Sequence, residues 1–222
     1  MARKTMFDDG FFNFLVEGAR FVGTSGIPML MDIPNDKTPN SLWPFERRNL
    51  TTNYRQYIHF YMHDKGFAPI LHSPDRYLPK LQLYDGMLTP DFTLTVGQSR
   101  CLQEANTYMN RAVGFYFQRH GVPVIPSIRW SDKTSFDFCF LGVPKNRMVS
   151  ISTHGCIKSM EQKLLFKEGL DAMLNELQPP IVLVHGYMPD VIFRDFLHQV
   201  CFHRYPSRIE ETRGKGGTNG NI

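Results

Sequence analysis

The sequence contains few cysteines and no long apolar run, and each absence excludes a class of protein. The four cysteines lie far apart, with neither a Cys-x-x-Cys pair nor the Cys–His spacing of a zinc module. We therefore expect them to be buried free thiols. No segment is long and apolar enough to span a bilayer, and charges interrupt the N-terminus where a signal peptide has its apolar core. These features predict a cytoplasmic protein without a membrane partner.

Charge of one sign is only slightly in excess, and common catalytic motifs are absent. The formal net charge is +4 and the isoelectric point is near 8.9, which permits an anionic partner but falls short of a nucleic-acid-binding arm. The sequence has no Gly-x-Ser-x-Gly elbow and no dinucleotide-binding fingerprint. Residues 214–218 contain Gly-Lys-Gly-Gly-Thr, but the segment follows no strand and lacks the upstream glycine of a phosphate loop.

Apolar and aromatic residues are abundant enough for one large core. Hydrophobic residues make up 42% of the 222 residues and aromatic residues 13%. We predict a single α/β domain over residues 1–205 that begins with a helical segment at 1–26. Residues 35–53 form an ordered loop in this interpretation, because Trp43 and Phe45 would otherwise expose much apolar surface. Residues 206–222, rich in glycine and charge, are predicted to be a disordered tail.

The segment 84–130 carries the clearest signal of architecture. A short apolar run ends near Asp91, residues 98–120 have apolar side chains at helical spacing, and a second apolar run follows Gly121. Strand, helix and strand in this order join parallel strands by a right-handed crossover. The sequence predicts further strands at 27–33, 57–62, 67–71, 181–184 and 201–205, and helices that begin near residues 74, 159 and 189.

The order of strands and helices indicates an α/β fold with a mostly parallel sheet and flanking helices. Eight regular strand–helix pairs are not visible, so the sheet is either an open wound sheet or an irregular, barrel-like arrangement. Residues 136–142 and 148–153 are predicted to form either a hairpin or two edge strands.

Polar residues directly after the predicted strands are the candidates for a functional site, because ligands bind at the carboxyl ends of parallel strands. His59 and His63 have the spacing of a zinc-protease pair, but Phe60 stands where the catalytic glutamate would be, and the local pattern is that of a strand. The candidates at the strand ends are Asp32, His63, Asp64, Asp91, Arg129, Trp130, His154 and His185.

Asp91 and the neighbours Arg129 and Trp130 have the most specific surroundings. Pro90 fixes the backbone before Asp91, and Phe92 can anchor it in the core, although an aspartate here could instead cap a turn. Arg129 and Trp130 could present a guanidinium and a flat ring to an anionic or planar ligand, or could be a core tryptophan with a snorkelling arginine.

Groups of residues along the chain occur in an order that resembles a known family. They are Trp43-Pro44-Phe45, His59-Phe60 with Asp64, LTPDFT at 88–93, GVPVIP at 121–126 with Arg129-Trp130-Ser131, and SFDFCF at 135–140 with Gly142. The series resembles a family of bacterial and phage proteins described as domain of unknown function 4417, over roughly residues 27–186. The resemblance implies a phage or mobile-element setting, hence the host cytoplasm, and little about mechanism.

Two functions remain open from these residues. The first is a hydrolase or transferase that acts on a phosphate-containing substrate, nucleic acid included. The second is a non-catalytic protein that binds nucleic acid or a host protein. For the first, the candidate catalytic residues are Asp91, Asp64, His154 and His185, the candidate ligand-binding residues are Arg129, Trp130 and Asp32, and a divalent metal is a candidate cofactor.

Overall fold

The structure is a computed structural model that describes residues 12–34, 37–208, 210 and 212. Its strands are β1 (Phe21–Val22), β2 (Ile27–Pro28), β3 (Leu42–Pro44), β4 (Tyr57–His59), β5 (Gly86–Leu88), β6 (Val124–Ile125), β7 (Val149–Ser152), β8 (Ile181–His185) and β9 (Cys201–Tyr205). Its α-helices are α1 (Pro69–His72), α2 (Pro74–Leu81), α3 (Arg100–Arg119), α4 (Met160–Leu177) and α5 (Asp190–Phe193). Short 3-10 helices lie at Asn13–Val16, Phe45–Arg47, Asp64–Gly66, Lys133–Ser135 and Arg194–Phe196.

Seven parallel strands lie side by side in chain order. Strands β3 to β6 form a four-stranded sheet and β7 to β9 a three-stranded sheet, whereas β1 and β2 pair separately and antiparallel. A parallel bridge between Ser127 and Ser150 joins the two larger sheets. Two backbone bonds of 2.8 Å, from Ile128 to the Ser150 carbonyl and from Ser150 to the Pro126 carbonyl, fix that junction. The predicted mostly parallel sheet with flanking helices is confirmed.

The joined sheets curve strongly, which gives the irregular, barrel-like form of the prediction. Strands β4 and β8 are four strand positions apart, so a flat sheet would separate them by roughly 19 Å. The rings of His59 on β4 and His185 on β8 nevertheless lie 4.7 Å apart. The barrel stays open between β9 and β3, where the described residues meet through the Tyr205 hydroxyl, 2.5 Å from the Pro39 carbonyl, rather than through strand pairing.

Helices cover the outer face of this curved sheet, as its apolar residues require. The crossover helix α3 packs with β4 and β5 around Ile58, Met87 and Phe117. Helix α4 begins at the predicted capping box of Ser159 and Gln162, and its buried stripe covers β7 and β8. The strand–helix–strand unit predicted for 84–130 is confirmed as β5, α3 and β6, with β5 and β6 paired in parallel.

Two predicted strands are wrong for local reasons. Residues 67–71 overlap α1, because the amides of Phe67 and Ala68 both donate to the Asp64 carbonyl and Pro69 starts a helical turn. Residues 136–142 follow a 3-10 helix and form turns, with the Cys139 amide donating to the Ser135 carbonyl at 2.9 Å. Strand β7 is therefore neither an edge strand nor part of a hairpin, but lies between β8 and the Ser127 bridge.

Other predictions are met in part. The first strand is shorter than 27–33, because only Ile27–Pro28 pairs. All four cysteines are free, but only Cys139 is fully buried, while Cys101 and Cys201 are exposed. Within the described residues, no helix is long and apolar enough to cross a membrane.

The two ends of the chain are described only in part. Residues 1–11 of the predicted N-terminal helical segment lie outside the described residues, as do 209, 211 and 213–222 of the predicted tail. Ser207, which falls in the predicted tail, is buried and bonded to the Glu210 carboxylate.

Candidate functional site at the carboxyl edge of the sheet

Three strands end on polar side chains at the same edge of the sheet. His59 is the last residue of β4, Ser152 the last of β7 and His185 the last of β8. Because the strands are parallel, their carboxyl ends meet at one edge. Ser152 and His185 are direct partners in the β7–β8 register, and the Ser152 Oγ lies 3.1 Å from His185 Nδ1. A hydroxyl and an imidazole are thus held in hydrogen-bond contact at the edge.

Aromatic rings from both sheets surround His185. Its ring centroid lies 4.7 Å from that of His59, 4.8 Å from that of Tyr61 and 6.0 Å from that of His154. The Tyr61 ring stacks on His185 at 19° between planes, and its hydroxyl is 2.6 Å from Ser150 Oγ. We call His59, Tyr61, His154 and His185 the imidazole cluster.

Alternation along β7 explains why serines reach this cluster. Val149 and Ile151 belong to the core under α4, so Ser150 and Ser152 point to the opposite, inner face of the curved sheet. Polar residues at alternate positions of a strand buried on both faces are the sequence signal for these two serines. The same signal applies to Tyr61, two residues beyond His59.

Burial keeps two of the imidazoles neutral. His59 and His185 are 7% and 5% exposed. Burial, followed by the nearby charges of His185 and His154, lowers the pKa of His59 well below its usual value. Burial lowers the pKa of His185 to about 4, with His154 acting in the same direction and Glu210 against it. The Tyr61 amide donates to His59 Nδ1 at 3.3 Å, so the proton of neutral His59 is assigned to Nε2.

These lowered pKa values predict a loss of stability in mild acid. The unfolded chain binds protons below about pH 6.5 that folded His59 and His185 do not, so the free energy of unfolding falls as pH drops from 6.5 towards 4. Each histidine contributes a slope of up to about 1.4 kcal/mol per pH unit within that window. We expect the free energy of unfolding, measured in urea, to be about 2–4 kcal/mol lower at pH 5 than at pH 7.

A matched pair of variants tests the origin of this slope. His185→Asn removes one buried imidazole and can keep the bond to Ser152, so we expect roughly half the slope. His198→Gln removes an exposed imidazole outside the imidazole cluster and should leave the slope as it was. Equal slopes in His185→Asn and the unsubstituted chain would contradict the assignment.

Asp91 and Arg129 form an ion pair beside the cluster. Arg129 Nη1 lies 2.7 Å from Asp91 Oδ2, with side-chain exposures of 23% for Arg129 and 8% for Asp91. The charge of Asp91 raises the pKa of Arg129. Burial raises the pKa of Asp91, while the charge and hydrogen bond of Arg129 act against that shift. The close contact favours the ionised form of both groups.

The loop that carries Asp91 is held in place on both sides. Asp64 accepts two bonds from Thr93, from the amide at 3.0 Å and from the hydroxyl at 2.8 Å. The Asn110 side chain on α3 donates to the Pro90 carbonyl at 2.7 Å. In the free protein Asp64 therefore orients the loop, and Asp91 sits on a fixed backbone.

Two cavities open at this edge. The first, about 330 Å³, is lined by Asp91, Arg129, Ser152 and Cys156 together with apolar residues. The second, about 530 Å³, contains the whole imidazole cluster and three arginines, Arg47, Arg204 and Arg208. The Ser152–His185 hydrogen bond lies between them, because Ser152 lines the first and His185 the second.

The structure brings most of the candidate residues to this edge. Asp91, Arg129, Trp130 and His154 line the two cavities with His185, and Trp130 packs on Phe166 at 5.0 Å between ring centroids. Asp32 is elsewhere. It pairs at 2.5 Å with Arg147, which precedes β7 and so lies at the opposite, amino edge of the sheet.

Side chains that could ligate a metal ion are not grouped together in the part of the chain that the structure describes. Among the residues that the structure describes, no three histidine, cysteine, aspartate or glutamate side chains are grouped as a metal ion would require. Burial raises the pKa of Cys156, so that thiol stays protonated at neutral pH.

Sequence reasoning did not select Ser152, Tyr61 or His59 for the site, although His59 was considered as half of a weak metal pair.

Comparison with known proteins identifies the family of the chain. The family described as domain of unknown function 4417 matches residues 19–206. The chain belongs to this family. The resemblance inferred from the motif series is confirmed, and the match includes every residue of the imidazole cluster and of the Asp91–Arg129 pair.

Two relatives are proteins of mycobacteriophages. The chain is 37% identical to the "Gene 1 protein" of Mycobacterium phage D29 over 129 residues, which are 58% of this chain and 48% of that protein. It is 34% identical to the "Gene 1 protein" of Mycobacterium phage L5 over 158 residues, 70% of this chain and 69% of that protein. The match thus spans about half the length of the D29 protein. No solved structure matches the chain.

Proposed function

We propose that the chain is an enzyme that acts on a phosphate-containing substrate by general acid–base catalysis at the carboxyl edge of the sheet. The observation that carries this proposal is the imidazole cluster, in which two buried, neutral histidines lie beside a serine hydroxyl. A neutral imidazole can accept a proton at neutral pH, and strongly shifted pKa values concentrate at functional sites. Burying two histidines costs stability, which a purely structural role does not require.

The proposed roles follow from the hydrogen bonds. His185 is positioned to accept a proton from Ser152 or from a water in its place, across the 3.1 Å contact. His59 carries its hydrogen on Nε2 and, as a neutral imidazole, is suited to donate a hydrogen bond to a substrate oxygen. His154 is exposed at the mouth of the cavity, where it can contact the substrate.

Charge in the second cavity supports a phosphate group there. Arg47, Arg204 and Arg208 line it together with one glutamate, Glu46. Arg208 lies 3.9 Å from Glu46, a long and exposed contact that leaves its guanidinium available to an anion. One guanidinium group can donate two parallel hydrogen bonds to two oxygens of a phosphate. Arg204 is already paired with Glu210, and Arg129 with Asp91, so the phosphate is assigned to Arg47 and Arg208.

Incubation with nucleic acid tests the proposal. Labelled single- and double-stranded DNA and RNA are mixed with the protein in Mg²⁺, Mn²⁺ or EDTA and run on native and denaturing gels. We expect cleavage or group transfer that His185→Asn and His59→Gln reduce by about 100-fold or more, a usual loss for a general acid or base. His198→Gln, outside both cavities, is the control.

Other outcomes would contradict the proposal in distinct ways. Cleavage that survives both cluster variants would exclude the imidazole cluster as the catalytic site. A mobility shift without cleavage would favour the second hypothesis, a non-catalytic protein that binds nucleic acid. If the protein causes no mobility shift and no cleavage, nucleic acid is excluded as the substrate.

A further inference from the structure

The first cavity differs in chemistry from the second. Its walls are mainly apolar and come from the loops after β5, β6 and β7 and from α4, including Leu94, Ile128, Trp130, Leu165 and Phe166. Its volume of about 330 Å³ is at the lower end of the range for small-molecule sites. Such a cavity suits one flat, mostly apolar ring system rather than a chain of charged groups.

The polar end of this cavity carries no net charge. Arg129 and Asp91, which both line it, cancel each other through their 2.7 Å contact. A free phosphate gains little from a guanidinium that is already paired, and the carboxylate repels it. A neutral ligand that needs both a donor and an acceptor fits the pair better.

Arg129 also has an unused donor at this end. Its Nε is buried and has no hydrogen-bond partner among the residues described. Buried polar groups are nearly always hydrogen-bonded, so an orphaned N–H on a residue that lines an open cavity is a reason to expect a ligand acceptor, reached by a small movement of the side chain. The carboxylate of Asp91 offers an acceptor next to it.

We propose that this cavity binds the base of a nucleotide. A nucleobase is flat, uncharged and apolar on its faces, and it carries ring acceptors beside N–H donors on its edge. Trp130 and the aliphatic residues contact its faces, Arg129 Nε donates to a ring acceptor, and Asp91 accepts from an N–H. In this proposal the phosphate of the same nucleotide extends past the Ser152–His185 contact towards the arginines of the second cavity.

This inference rests on the proposed function only for the position of the phosphate, so base binding can be tested without turnover. The full chain is titrated calorimetrically with adenosine, guanosine, cytidine and uridine, and with ribose, inorganic phosphate and indole as controls. We expect at least one nucleoside to bind, with ribose and phosphate weaker by about tenfold or more. Indole has a flat ring without a ring acceptor, and it too should bind more weakly than that nucleoside.

Two variants locate the site. Leu165→Glu places a carboxylate on the apolar wall and should weaken nucleoside binding by about tenfold or more. Leu164→Glu, the next residue of α4, is the matched control, because Leu164 is exposed and lies outside this cavity. Arg129→Lys keeps the positive charge but lacks Nε, and we expect a similar tenfold loss.

Each outcome bears on a different claim. If no nucleoside binds, or if ribose and phosphate bind equally well, the base site is wrong even where phosphate chemistry is observed. If Leu165→Glu and Leu164→Glu weaken nucleoside binding equally, the nucleoside does not bind in this cavity. Binding unchanged in Arg129→Lys would exclude recognition by Nε. Nucleoside binding without any turnover would leave this inference standing and remove the catalytic proposal.

Discussion

Replacing Arg111 by methionine is expected to lower the free energy of unfolding by about 3–5 kcal/mol, a large share of the stability of a typical domain. Arg111 lies on α3 and is 1% exposed. Its guanidinium donates to the carbonyls of Leu141 at 3.0 Å, Cys139 at 2.8 Å and Ser127 at 3.3 Å, and to Asn110 Oδ1 at 2.5 Å. Methionine fills similar space but leaves these acceptors without a donor.

The unusual feature of Arg111 is that carbonyls rather than a carboxylate satisfy it. Among the described residues, no acidic side chain pairs with Arg111, and burial lowers its pKa to about 10. The guanidinium thus joins α3 to the junction of the two sheets at Ser127 and to the turns after Lys133–Ser135. Its loss should loosen the junction itself.

Urea unfolding with a surface control measures the effect. Arg100→Met removes an arginine on the same helix that pairs with Asp137 and Glu104 while 53% exposed, and it should cost much less stability than Arg111→Met. A difference between the two variants below about 1 kcal/mol would show that the buried hydrogen bonds contribute little net stability.

The second large effect is expected at Asp91. Asp91→Asn removes the partner of Arg129 and should lower the free energy of unfolding by about 2–3 kcal/mol, less than for a fully buried pair because Arg129 keeps some contact with water. Arg129→Gln should cost a similar amount. The double variant should recover part of the loss, because no uncompensated charge then remains buried.

The double-mutant cycle also decides how Asp91 is to be tested for function. If the single variants destabilise and the double variant recovers, activity must be compared at matched folded fraction before Asp91 is assigned a role in the reaction. Strictly additive losses would mean that the two charges do not stabilise each other. If the Asp91→Asn variant is as stable as the unsubstituted chain, Asp91 does not stabilise the fold.

Local patterns predicted the elements that depend on neighbouring residues. The capping box of α4, the crossover helix α3 and the continuous apolar strand before His185 are all set by residues close in the chain. Asp91 was selected because it follows an apolar run, and the structure indeed holds its backbone firmly. The strand predicted at 67–71 was wrong because Phe67, Ile70 and Leu71 suit a strand by composition but a helical turn by spacing.

The composition of the site depended on contacts that no local pattern reports. His59 and His185 meet only because the sheet curves, and that curvature comes from packing between strands far apart in sequence. The pairing of Asp91 with Arg129 requires the register of neighbouring loops. Asp32 follows a strand in the same way as the others, but its strand is an antiparallel pair outside the parallel sheets.

Among the described residues one backbone bridge joins the two sheets, yet each sheet supplies part of the imidazole cluster. A folding chain in which only the four-stranded sheet had formed would expose His59 to water, where an imidazole takes up a proton near pH 6. Docking of the three-stranded sheet would then expel that proton. Assembly of the two sheets is therefore coupled to the loss of this proton in mild acid, and the imidazole cluster needs both sheets to exist.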